Sequence, residues 1–395
     1  MSTQRILSVD IFRGLTIFMM VLVNELAGIS NIPLWMKHVP AGVDGMTFVD
    51  VVFPAFLFIV GMAIPFAVEN RETKGQERAA FWQHVLIRTL GLLVLGVYMV
   101  NAEEMNREAN PIPYGWWAAS LYIAAILIWN RYPKNGEEWK QKLFTGLRIV
   151  GIIILAALYF LYRKGESGQL TGMTPSWWGI LGLIGWAYLL SMIFYMASRK
   201  KIGALLGVFA GLLALILVLR SGLSGLPVVV QWLKGQSGHL VHTLITLSGI
   251  ICSLLLARGG VWDRPTVKIR NILLFGVVLG VAGYLSRPFG GISKIAATPS
   301  WALFSAASCC LIFPAIYWLA DLKGKKGWAI FLKPAGENPL LAYILPPLFY
   351  AIAGYGIFPD VLSQGGIGML RALAFTLAIM WLTSWLTKKG IRLHL

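Results

Sequence analysis

The sequence predicts an all-α polytopic membrane protein of about 12 transmembrane helices. Three observations carry this. Hydrophobic residues make up 57% of the 395 and charged ones only 13%, with a mean hydropathy of +0.70, far too apolar for a soluble globular chain. Apolar runs long enough to cross a bilayer recur from end to end. Basic residues gather in every second loop between them.

Crossing the hydrocarbon layer as a helix takes about 20 mostly apolar residues. Runs of that kind predict spans at 11–29, 46–69, 81–100, 114–129, 142–162, 176–197, 202–219, 239–257, 270–286, 298–320, 338–356 and 367–387. The first run is followed by no small-residue cleavage pattern and exceeds a signal-peptide core, so it is expected to be a retained helix. Trp116, Trp117, Trp177 and Trp178 fall where spans four and six meet the outer interface and read as a lipid-facing aromatic belt. Cys252, Cys309 and Cys310 lie inside apolar spans without CxxC or Cys/His spacing. They read as small buried residues, with no metal site and no disulfide framework expected. No loop is long enough for a soluble domain and no internal repeat stands out. Residues 1–395 therefore read as a single transmembrane domain.

Loop charge orients it. With the N-terminus inside, the inner loops hold Arg71, Lys74, Arg78, Arg131, Lys134, Lys140, Lys142, Arg199, Lys200, Lys201, Arg258, Arg264, Lys268, Arg270, Lys323, Lys325, Lys326 and Lys333, and the tails add Arg5, Lys388, Lys389 and Arg392. The outer side holds only Lys37, Arg107, Arg163, Lys164, Arg220, Lys234, Arg287 and Lys294. This bias predicts both termini cytoplasmic. It also accounts for the net charge of +17, which is spread over inner loops and forms no nucleic-acid-binding face.

Polar groups at membrane depth are costly and mark working sites. In this topology Asn24 lies in the outer third of the first span, His38 in the loop after it, and Asp50 about one turn into the second. All three converge on the outer leaflet. Asp10 and Arg13 begin the first span at the opposite face, three residues apart and able to share a helical side.

The strings SVDIFRGLTIFMMVLVNELAG, then KH, then DGMTFVDVVFPAFLFIVGMA resemble the start of the heparan-alpha-glucosaminide N-acetyltransferase family, with echoes in HTLITLSGI, ISKIAATPSW and PAGENPLLAYILP. The resemblance is strongest over about residues 5–70, within the first hundred residues that carry the main motif. It implies transfer of an acetyl group from cytoplasmic acetyl-CoA to the amine of a glucosamine across the membrane. It also implies that His38 is the active histidine, Asn24 its partner asparagine and Asp50 the aspartate of the second motif. Bacterial relatives linked to N-acetylglucosamine utilisation have this compact form, which points to a multi-pass protein of the inner membrane and makes a homodimer an expectation.

The chemistry fits those residue types. An amine attacking a thioester must lose a proton while an oxyanion develops, and a neutral imidazole suits the first task. His38 is the expected general base, with an acetyl-His38 intermediate as the competing route. Asn24 offers an amide donor, and Asp50 a carboxylate to orient the imidazole or attract an ammonium. Arg13, Asp10, Arg88 and Asn338 are candidates for contacts with acetyl-CoA at the inner side, against ordinary positive-inside anchoring and, for Asn338, an N-cap role. Glu25, Asp44, His242, Lys294 and Trp301 are candidates to line a sugar pocket, since sugars are held by fixed polar groups and aromatic faces. The acceptor class is an amino sugar or the non-reducing end of a glycan. An amino-sugar secondary transporter and an O-acetyltransferase of envelope glycans are the alternatives.

Overall fold

A computed structural model describes residues 6–133, 137–166, 169–222, 227–257, 264–354 and 356–394. Arg5, Lys134 and Arg258, which entered the charge count, lie outside them. The described residues are helical, with short 3-10 turns and isolated bridges between loops. The chain is a multi-pass membrane protein. Among the described residues ten helices are long and apolar enough to span: α1 (Leu7–Ala27), α2 (Val49–Thr73), α3 (Arg78–Glu103), α5 (Glu138–Leu161), α6 (Ile180–Ala197), α7 (Ile202–Arg220), α9 (Ser237–Ala257), α10 (Pro265–Leu285), α11 (Pro299–Tyr317, with a π turn to Leu322) and α14 (Gly365–Lys388). Two more of the predicted spans are shorter apolar helices, α4 (Tyr114–Trp129) and α13 (Pro339–Ala353). The short α8 (Val228–Gly235) and α12 (Lys333–Glu337) fall in segments read as loops.

Local chemistry sets the ends. α1 begins four residues before the predicted start because the remote Asp321 carboxylate accepts from Leu7 N (3.0 Å) and Ser8 N (2.9 Å), two of the amides a helix start leaves open. α11 starts on Thr298, whose hydroxyl accepts from Trp301 N, with Pro299 in the first turn. α2 carries Pro54 and Pro65 in its interior, as membrane helices tolerate.

The chain divides into two compact units. The first comprises residues up to Thr16, Pro33–Thr89 and Leu183–Ile330. In it α2 packs along α9, α10 along α11, and α7 and α11 against α9. Gly61 and Gly249 make the α2–α9 approach possible: a methyl at Gly61 would overlap the Thr246 carbonyl, and one at Gly249 the Phe58 carbonyl. The hydroxyls of Thr243, Thr246 and Ser248 on α9 bond back to carbonyls four residues earlier, so none is left unsatisfied in lipid. The Cys252, Cys309 and Cys310 thiols are buried in this unit.

The second unit comprises Ile17–Ile32, Leu90–Gly182 and the residues from Phe331 onward. Here α4 packs on α5 and α13, and α12 and α13 on α14. Trp117 corrects the aromatic-belt expectation. It is fully buried, donates Nε1 to Leu158 O (3.2 Å) and packs against Tyr98 and Tyr162. Trp116, Trp177 and Trp178 do stand exposed.

Candidate functional site

The loop after α1 tightens into a 3-10 turn at Leu34–Met36, runs through Lys37 and His38, and enters α2 at Val49. Asp50 sits in the first turn of α2 with its side chain 2% exposed. Every direction of its carboxylate is used. Oδ1 meets His38 Nδ1 at 2.7 Å, and Oδ2 accepts from Thr47 N (3.0 Å), Val39 N (3.3 Å) and the Thr47 hydroxyl (3.4 Å). That hydroxyl also donates to Lys37 O (2.8 Å). Such bonds are what a buried carboxylate needs to stay charged.

An acceptor-only carboxylate at Nδ1 places the imidazole proton there and leaves the lone pair on Nε2. The His38 side chain is 36% exposed, so that nitrogen can be reached from outside the protein. Below the dyad, Trp301 is wholly buried and donates its indole N–H to Asp50 O at 3.1 Å. His242 lies between Trp301 and Phe53, ring centroids 5.6 Å from each, with Nδ1 2.6 Å from Gly238 O. Both of these candidate sugar contacts are buried and pack under the dyad.

Lys294 completes the cluster. Its Nζ is 3.2 Å from His38 Nε2 and 3.4 Å from Nδ1. Near-equal distances to both ring nitrogens put the ammonium off the Nε2 lone-pair axis, which stays open to a proton donor. Burial pushes Lys294 below the usual lysine range, and Asp50 acts in the opposite direction.

A built loop holds Lys294 in place. Arg220 Nη2 donates to Ala296 O (2.8 Å) and Ala297 O (3.0 Å), and Ala297 takes φ 46°. Ser293 N donates to the Thr298 hydroxyl (3.0 Å) and Thr298 N to Ser293 O (3.0 Å). Asp44 fastens the same loop by an ion pair with Arg287 (2.7 Å) and by accepting from Ile292 N (2.7 Å). Those bonds hold the Asp44 carboxyl below its ordinary range, the Arg287 bond foremost. Asp44 thus ties this loop down while its side chain stays 47% exposed. Arg220 was missed as a site residue because its partners lie 76 and 77 residues on, whereas the partners of Thr47 (Asp50) and Thr298 (Ser293) are close in the chain and could have been sought there.

Asp10, Arg13 and Arg88 of the first unit stand in other surroundings. Asp10 and Arg13 pair at 3.2 Å near the start of α1. Arg88 lies over the Tyr188 ring, 4.8 Å from its centroid. Asn24 and Glu25 belong to the second unit. Asn24 is exposed, whereas Glu25 is buried, paired with Arg371 at 2.7 Å and accepting from the Tyr350 hydroxyl at 2.7 Å. That pairing satisfies the Glu25 charge within the protein. Asn338 does not cap α13 with its side chain and is 1% exposed. Instead its amide donates to Thr387 Oγ1 (3.0 Å) and Ile391 O (2.9 Å) and accepts from Leu393 N (3.1 Å), a clamp on the chain after α14. Among the described residues no group of three or more His, Cys, Asp or Glu side chains is arranged to hold a metal.

Two curated relatives are similar to part of this chain. Heparan-alpha-glucosaminide N-acetyltransferase of Mus musculus is 34% identical over 101 residues, and that of Homo sapiens 34% over 98. In each case the match covers 25% of this chain and 14% of the relative, so the chain spans about a seventh of their length. A family model described as "Domain of unknown function (DUF5009)" matches residues 5–255, which include His38 and Asp50 but not Lys294 or Trp301. With more than half its length matched, the chain belongs to the DUF5009 family.

Proposed function

We propose that this protein is a transmembrane acetyltransferase that moves an acetyl group from cytoplasmic acetyl-CoA to the amine of a glucosamine-type sugar at the outer face, with both termini cytoplasmic. The observation that carries the reading is the buried Asp50 carboxylate on His38 Nδ1 with Lys294 beside the ring; the partial likeness to two N-acetyltransferases supports it.

Each group has a task. Asp50 holds the Nδ1–H tautomer, and His38 Nε2 takes a proton from the sugar ammonium, freeing the nitrogen lone pair. The nitrogen attacks the acetyl carbonyl carbon, an N–C bond forms and an oxyanion develops within reach of a cation such as Lys294. The C–S bond then breaks, the leaving sulfur of CoA takes a proton from the imidazolium, and the restored His38 accepts the second proton of the acylated nitrogen and releases it to water, leaving the neutral amide. The pantetheine arm carries the acetyl group, because the CoA phosphates cannot enter hydrocarbon.

Proteoliposomes loaded with acetyl-CoA and given external glucosamine test this. N-acetylglucosamine should accumulate outside, and His38→Ala should abolish it while leaving the thermal transition in place. Uptake of unmodified glucosamine without acetylation would replace the reading with transport, and acetylation of hydroxyl acceptors alone would replace it with O-acetyl transfer.

A further inference from the structure

The chain beyond α14 is bonded into place. Gly390, at φ 93°, reverses it. Arg392 N then donates to Asn130 Oδ1 (2.9 Å), Arg131 N to Arg392 O (2.8 Å) and His394 N to Trp129 O (2.9 Å), while Asn338 grips Ile391 and Leu393. The segment so held, the end of α4 and the start of α5 enclose a cavity of about 930 Å³.

Three cations line it: Arg131, Lys389 and Arg392, with Tyr132 and Phe144 stacked at 4.8 Å beside them. Among the described residues no carboxylate lines the cavity, and the nearby Glu137 and Glu138 are paired with Lys140 and Lys142. Fixing three like charges by backbone bonds costs repulsion that an anion would relieve. The walls indicate where that anion comes from. α5 and α14 are among the least buried spans, at 17% and 33% over their apolar windows, and Trp139 and Trp385 stand exposed near their ends. A basic cavity bounded by lipid-facing helices and interfacial tryptophans lies at headgroup depth.

We propose that this cavity binds the phosphate of an anionic phospholipid headgroup, with Arg131, Lys389 and Arg392 as its cationic ligands. The occupant anchors the end of α14 to the bilayer and relieves the repulsion among the three side chains.

Native mass spectrometry of the full chain in zwitterionic detergent, titrated with phosphatidylglycerol or phosphatidylcholine, tests this. Phosphatidylglycerol should be retained selectively, and the triple variant R131Q/K389Q/R392Q should bind it about a hundredfold more weakly, at about fivefold per cation. The equal-charge control K323Q/K325Q/K326Q should bind as the parent does. Should the triple variant fail to fold, Arg392→Gln alone should lose about fivefold, since its backbone bonds remain. Unchanged binding in the cavity variants, or an equal loss in the control, overturns the proposal. Displacement of the lipid by 3′,5′-ADP at equal affinity overturns it in favour of a soluble nucleotide site.

Discussion

Asp50→Asn tests the proposed chemistry most sharply, because it preserves shape and changes only what the side chain can accept. In the parent, Oδ2 accepts from two backbone amides, Thr47 N and Val39 N, and Oδ1 meets His38 Nδ1. Asparagine has one oxygen. Turned toward the two amides, it keeps two bonds and presents its NH2 to His38; turned toward His38, it keeps one and sets the NH2 against two donors. At about 1 kcal/mol per neutral bond, plus the cost of opposed donors, the first arrangement is favoured by roughly tenfold or more. It obliges Nδ1 to accept and moves the imidazole proton to Nε2, where the base must be. The expected result is a loss of about 10²- to 10⁴-fold in kcat, the worth of positioned general-base catalysis. The loss of charge-assisted bonds should also cost about 2 kcal/mol in stability. Initial rates of acetyl transfer in proteoliposomes, with a thermal melt on the same sample, read both. Activity within threefold of the parent, at matched folding, would refute the tautomer argument.

Lys294→Met should lower kcat by about 10- to 100-fold with KM for glucosamine less affected, and Lys294→Arg should recover part of it, as an oxyanion-facing cation requires. The same residue carries a pH signature. Its folded value lies below the ordinary 10.5, so the unfolded chain binds more protons between the two values, and stability gains from this group as pH rises through that window. The parent's melting temperature should rise relative to Lys294→Met over that range; parallel curves would contradict it. Gly249→Ala should cost about 1–3 kcal/mol or prevent assembly, because α2 and α9 must separate to clear the Phe58 carbonyl, measurable as lost monodisperse yield or a lower transition. Asn338→Ala should release the segment after α14, seen as faster carboxypeptidase trimming with acetyl transfer retained, whereas a cofactor contact would show instead as a raised KM for acetyl-CoA.

The helices were legible because hydrophobic run length is a local property. The start of α1 was not, since Asp321, more than 300 residues away in sequence, supplies its cap. The His38–Asp50 pairing could be anticipated from one short loop between two spans, yet the side of the ring on which Lys294 lies depends on Arg220, Asp44 and Thr298 acting on a distant loop. The internal partners of Glu25, Asn338 and Trp301 were not legible, for a common reason: a polar or aromatic residue at a span's end looks the same in sequence whether it faces a ligand or an internal partner. For Glu25 the deciding partner is Arg371, 346 residues on.

The two sides of the imidazole are governed by different kinds of architecture. Asp50 belongs to a helix locked against α9 by glycine contact, while Lys294 rides on a clasped surface loop that no span threads. Surface loops exchange sequence more freely than packed helices. On the proposed chemistry, the carboxylate side of the imidazole is therefore the harder to alter, and the cationic side can be varied through the loop at 287–298 provided its clasps to Arg220 and Asp44 are kept.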